Sequence, residues 1–211
     1  MQKTNSEGRT LVSNPLNLQL QINDDLVVKV NPFIEDPRSG NIPNYLSNFI
    51  ILQVTLGTGK GSLADVLTVH FARFNFVDKV KLDKGDYVPI KEDFQKFFQP
   101  SDLTDGKLNC YYKELLLVTS YDNNFDDYLN DFCQITYTVF NTLVSFMVKP
   151  KDFPVIPAQK NILGFSEYVR RHDKPTSSFV SAYPLITVVQ IIQDAKRRGA
   201  LYTNIKEDTI S

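Results

Sequence analysis

The chain has 211 residues, 42% of them hydrophobic, with an aromatic load of Phe and Tyr and no Trp. Lys and Arg number 23 against 24 Asp and Glu, a net charge of −1, which excludes bulk attraction to nucleic acid or to an anionic membrane. No apolar run approaches the ~18 residues of a membrane span, and residues 1–10 lack the apolar centre of a cleaved leader.

Residues 1–15 read as a polar N-terminal arm with little to bury. Leu16, Leu18, Leu20 and Ile22 then alternate with Asn17, Gln19 and Gln21, the period of two of a half-buried strand. Asn23-Asp24-Asp25 supplies a turn, and residues 26–30 are its expected hairpin partner. Pro32, Pro37, Gly40 and Pro43 mark residues 31–47 as a surface loop. Residues 48–56, with Phe49, Ile50, Ile51, Leu52 and Val54, read as a deep strand that is apolar on both sides. A glycine-rich turn over 57–61 leads to a long strand over 65–77, whose apolar set changes face between Phe71 and Ala72.

Residues 77–86 read as a charged loop or edge strand. Phe94, Phe97 and Phe98 stripe a short helix over 91–99 that Pro100 stops, and 100–106 carries turn chemistry. A strand over 108–118 and an acidic loop over 121–131 follow. Residues 134–148 then read as the organising strand: Ile135, Tyr137 and Val139 alternate with Gln134, Thr136 and Thr138, and the apolar side shifts after Val139. Long strands with mid-length changes of face fit two packed sheets. The expected fold is therefore mainly β, a two-sheet sandwich or jelly-roll-like domain over 16–148. Pro150, Pro154 and Pro157 make 149–164 an extended connector. Residues 165–211 form a helical C-terminal segment, with a short helix over 165–171 and an amphipathic one over 184–198.

Chemistry-bearing motifs fail on spacing. Gly57-Thr58-Gly59-Lys60-Gly61 lacks the first glycine and the final hydroxyl of a phosphate loop. Asp122, Asn124 and Asp126 share the spacing of calcium-loop ligands, but Asp127 and Cys133 stand where Gly and Glu belong. His70 and His172 are too few for a three-His zinc site. Gly164-Phe165-Ser166 lacks the second glycine of a nucleophile elbow. No catalytic residue, cofactor or metal ligand is assigned, and the chain is expected not to be an enzyme. Cys110 and Cys133 read as buried free thiols of a soluble protein made in a reducing, cytoplasmic compartment.

One asymmetry stands out. Residues 91–131 hold nine acids against four lysines, net −5, and residues 149–199 hold nine bases against four acids, net +5. Either the tail folds back on its own acidic surface, or it docks on the next copy, head to tail. The interface residues for such docking are Arg170, Arg171, Lys196, Arg197 and Arg198 against Asp122, Asp126, Asp127 and Asp131. The functional expectation is a non-catalytic structural or adaptor subunit of a larger assembly, such as a virion, a phage head-tail or tail component, or a secretion apparatus. Its partners are protein subunits, itself included, with no membrane span and no nucleic acid. The alternatives are a carbohydrate- or peptide-binding β-sandwich module using Tyr45, Tyr87, Tyr111, Tyr112 or Tyr121, and a hydrolase with a non-local active site.

Overall fold

The computed structural model describes residues 13–25, 31–36, 42–58, 69–122, 124–176 and 187–197. Its centre is an antiparallel sheet of three strands, β1 (Ser13–Gln21), β2 (Val69–Lys81) and β6 (Cys110–Asp122), in the order β1-β6-β2. The alternation read in the sequence sets its two faces. Leu18, Leu117 and Phe74 stand in one row, as do Leu20, Leu115 and Phe76, and this face is turned to the core. Asn17, Val118 and Arg73 stand in a row on the opposite face, where Gln19 bonds Glu114. β1 thus pairs with β6, whereas the hairpin partner expected over 26–30 lies outside the described residues.

A second antiparallel sheet, in the order β3-β5-β4, joins β3 (Val88–Pro89), β4 (Leu103–Thr104) and β5 (Lys107–Leu108). Asp105 and Gly106 both take positive φ, 51° and 73°, as a two-residue primed hairpin turn requires. The short helix α2 (Glu92–Gln95) precedes it, close to the position its phenylalanine stripe gives.

Two expected strands are helices. α1 (Asn44–Thr58) occupies the stretch read as a deep strand, and buries Leu46, Phe49, Ile50, Leu52 and Val54. A helix buried nearly all round carries no amphipathic period, so a short apolar run cannot be told from a core strand by pattern. The organising strand over 134–148 is divided between α3 (Phe125–Ile135) and α4 (Tyr137–Ser145). Its Thr, Val, Tyr and Phe favour strands locally, but Phe140, Leu143, Val144 and Met147 fall at i, i+3, i+4 and i+7 and are all buried. Tertiary burial of that helical stripe outweighs a weak local preference. Two small antiparallel sheets are present, but the expected mainly β sandwich or jelly roll gives way to a mixed fold in which helices fill the core side.

Aromatic rings join the layers. Tyr121 stacks on Tyr128 at 4.2 Å, Tyr128 meets Phe132 at 4.5 Å, Phe132 meets Phe140 at 4.6 Å, and Phe140 meets Phe165 at 5.9 Å. This chain runs from β6 through α3 and α4 into α5 (Ile162–His172). Such pairs contribute about 0.5–1.5 kcal/mol each beyond burial. The proline segment expected to be an extended connector bends at 151–153 and 157, and Val155, Ala158, Phe165, Tyr168 and Val169 enter the same core as the sheet. Gly164 lets α5 lie directly on the backbone of Pro154, since a Cβ there would overlap the Pro154 carbonyl oxygen.

Residues 188–197 are helical, within the segment expected to be a helix. The start is set by a capping box: Thr187 Oγ1 accepts from the Gln190 N–H at 3.2 Å, and Gln190 Oε1 accepts from the Thr187 N–H at 2.8 Å. Pro184 and Gly199, which marked the two ends in the sequence, lie outside the described residues. No helix among the described residues is long and apolar enough to cross a membrane.

Candidate functional site

The expected interface charges are found bonding within one chain. Arg170 on α5 pairs with Asp126 on α3 at 2.6 Å and lies over the Phe125 ring at 4.2 Å. Arg171 bonds Glu167 at 2.9 Å and Asp152 at 3.3 Å, and its guanidinium covers Phe153. Arg197 meets Asp194 at 3.7 Å, one helical turn away. Lys196 is exposed, and Arg198 lies outside the described residues. Asp122 is buried at 2% exposure and accepts the Val188 N–H at 2.7 Å, holding the start of the helix over 188–197.

Asp127 belongs to the cap of α3, where Asn124 Oδ1 accepts its N–H at 2.8 Å. The calcium-like spacing of Asp122, Asn124 and Asp126 is therefore a helix start with acids in its first turn. Asp131 is half-buried on the same helix and has a partner. Folding back on its own acidic surface is thus what Arg170 and Arg171 do.

The other candidates are scattered. Both cysteines are free and buried, and burial pushes each thiol up to about 11, well away from a reactive thiolate. His172 Nδ1 lies 2.8 Å from the Tyr168 carbonyl, one turn back on α5. Tyr45 and Tyr87 line one cleft of about 620 Å³. Tyr111 is buried with its ring stacked on Tyr45 at 4.6 Å, and Tyr121 is buried against Tyr128. The turn over 59–61 lies outside the described residues.

A second concavity is one the sequence did not announce. A cleft of about 510 Å³ is lined by Gln53, Leu56 and Gly57 of α1, by Ala72, Arg73, Phe74, Asn75 and Phe76 of β2, and by Phe97, Gln99, Asp102 and Tyr112. Neighbouring residues of a strand point to opposite faces. A cleft lined by five consecutive residues therefore runs along the strand's edge, and among the described residues β2 is an edge strand of its sheet.

At one end of the cleft Asp102, 2% exposed, accepts from Lys79 Nζ at 2.7 Å and from the Tyr112 hydroxyl at 3.3 Å. That hydrogen bond raises the Lys79 ammonium above its ordinary value. On the α1 wall the Gln53 amide donates to the Phe97 carbonyl, while its buried Oε1 accepts no hydrogen bond. Gly57 makes this wall: a Cβ there would come within 2.5 Å of the Phe97 ring.

Edge strands elsewhere are defended by lysines, bulges and covering segments. The other edge of this sheet is covered. Asp173 bridges Leu18, the Asn17 N–H donates to Asp173 Oδ1 at 3.0 Å, the Lys174 N–H donates to the Asn17 carbonyl at 2.8 Å, and the Asn17 amide reaches Thr176. The far half of β2 is defended as well, by Asp78 at φ 60° and by Lys79 and Lys81. The near half, Phe71-Ala72-Arg73-Phe74-Asn75-Phe76, has no lysine and no proline, and Phe71 is 48% exposed.

Comparison with family models, with curated proteins and with solved structures finds no match for this chain.

Proposed function

We propose that this chain is a non-catalytic adaptor or structural subunit that works by protein–protein contact within a larger assembly. The observation that supports this reading is the difference between the two edges of the central sheet. One edge is closed by the chain's own residues 173–176, whereas along the other no described residue pairs with β2 over 71–76, where a bulge at Val69/Phe71 precedes the stretch and Phe71 is exposed. An exposed apolar edge left in a folded protein is a pairing surface or an aggregation liability. The apolar side chains left outward on the C-terminal helix, Val189 at 40% and Ile192 at 36% exposure, add a second contact surface.

The expected head-to-tail charge contact does not carry this reading, because Arg170 and Arg171 are satisfied within the chain. The test is the mass of the native particle that contains the chain. A fixed stoichiometry with other subunits, or with further copies, is the expected result. A solitary 24.1 kDa chain that turns over a small molecule would overturn the proposal.

A further inference from the structure

Resting on the adaptor reading, we infer that the cleft along β2 binds an extended segment of a partner protein, which adds to the sheet as a fourth strand and carries an acidic residue between two apolar ones. The backbone supplies the attachment. In an antiparallel ladder every second residue turns its N–H and C=O away from the paired strand, so β2 offers alternating donors and acceptors toward the cleft over Ala72–Phe76. Strand addition to an exposed edge draws its affinity from such main-chain bonds and its specificity from alternate side-chain positions.

The walls choose a single strand over a second globular copy. Gln53 and Leu56 of α1, with Phe97 packed against that helix, form a wall beside the strand, and the cleft they share with β2 holds about 510 Å³. That lies within the ~300–1,000 Å³ of clefts that enclose a ligand. Gln53 Oε1, buried and without a donor, is placed to accept a backbone N–H of the incoming segment.

The side chains give the partner its chemistry. On the core face Ala72, Phe74 and Phe76 are half-buried and call for apolar neighbours. On the opposite face stands Arg73. Two charged side chains line the cleft: Asp102 is already paired with Lys79, and Arg73 has no ion-pair partner among the described residues. A cross-strand acid beside Arg73 completes the charge, and side chains of opposite parity fix its neighbours as apolar.

The experiment uses the full chain and a fluorescein-labelled nine-residue peptide of alternating valine and threonine with one central glutamate flanked by valines. Fluorescence anisotropy reads binding. Two further peptides are N-methylated on the odd or on the even amides. Strand addition requires that one N-methylated set weakens binding at least about tenfold while the other stays within about twofold, because only one set faces β2. Arg73→Glu should weaken the glutamate peptide about two- to fivefold and favour the peptide with lysine in its place.

Equal effects of both methylated sets, or no binding by the parent peptide, would overturn the inference. So would sedimentation showing that the chain pairs with itself through β2 and excludes the peptide. Failure here is separable from failure of the adaptor reading. Native complexes that persist with Arg73→Glu and resist the peptide leave that reading standing while removing this site, whereas a solitary native chain removes the reading whatever the peptide does.

Discussion

The two edges of the central sheet were built from similar strands and finished differently. β1 and β2 flank β6 in the same antiparallel sense, and both send apolar side chains into one core. At β1 the chain returns after α5 and spends Asp173, Lys174 and Thr176 on the backbone and side chain of Asn17. At β2 the residues beside the strand form walls, with Gln53 and Phe97 standing off the edge and a cleft between. A covered edge is structure. On the proposed reading, the edge left unpaired among the described residues is the place for a partner.

The covered edge is the easier to break. Gly164→Ala puts a Cβ into the Pro154 carbonyl, which is backbone and cannot rotate away. Its cost should reach the top of the ~1–3 kcal/mol range for overpacking. Displacing α5 also loosens the cover at Asn17, so urea unfolding should show a lower midpoint together with faster amide exchange in β1.

Next in size is Lys79→Met. It leaves Asp102 buried with Tyr112, Ser101 and the Cys110 thiol beside it and no cation. A loss of about 1–3 kcal/mol is expected for an under-satisfied buried group, and Lys79 is itself partly exposed, which keeps the figure below that of a fully buried pair. Denaturant titration checks it, and Asp102→Asn in the same background should recover part of the loss.

Alkaline pH acts more gently. Cys110 and Cys133 are raised by burial to about 11 from 9.0. The unfolded chain sheds these thiol protons above about pH 9 while the fold retains them. Their contribution is therefore intact below pH 9 and is lost as pH rises toward 11. Thermal midpoints measured across that window should fall, and Cys133→Ala should flatten the decline.

Phe71→Thr should do least to the fold. The ring is 48% exposed, so stability should stay within about 0.5 kcal/mol of the parent. Association through the open edge should nonetheless weaken, and self-aggregation at high concentration should fall, as light scattering would record. A large loss of stability instead would mean that Phe71 is part of the core and the edge is not a surface.

What could be read from the residues follows the range of the forces involved. β1 and β2 were legible because one buried face imposes a period of two on Leu16, Leu18 and Leu20 and on Ala72, Phe74 and Phe76, and β6 was legible as a nearly continuous apolar run from Leu115 to Val118. α5 was legible over 165–171, while its first turn from Ile162 reads as part of the connector. α1 and α4 were not, since Phe49–Leu52 is buried nearly all round and Thr136–Val139 favours a strand until Phe140, Leu143 and Val144 find a core to enter. The charge asymmetry was visible, yet its resolution depended on Arg170 lying beside Asp126, which sequence separation conceals. The cleft was out of reach for the same reason. Which strand stands at an edge is a property of the whole topology, and nothing in Phe-Ala-Arg-Phe-Asn-Phe states that β2 has one neighbour among the described residues.

Residue-resolved amide hydrogen exchange on the full chain compares the two edges most directly. The account requires that Asn17 and Leu18 exchange slowly, under their cover of Asp173–Thr176, and that alternate amides between Ala72 and Phe76 exchange many-fold faster than the amides bonded to β6. Uniform protection along that stretch of β2 in the isolated protein would contradict it, because it would mean that the edge is already closed.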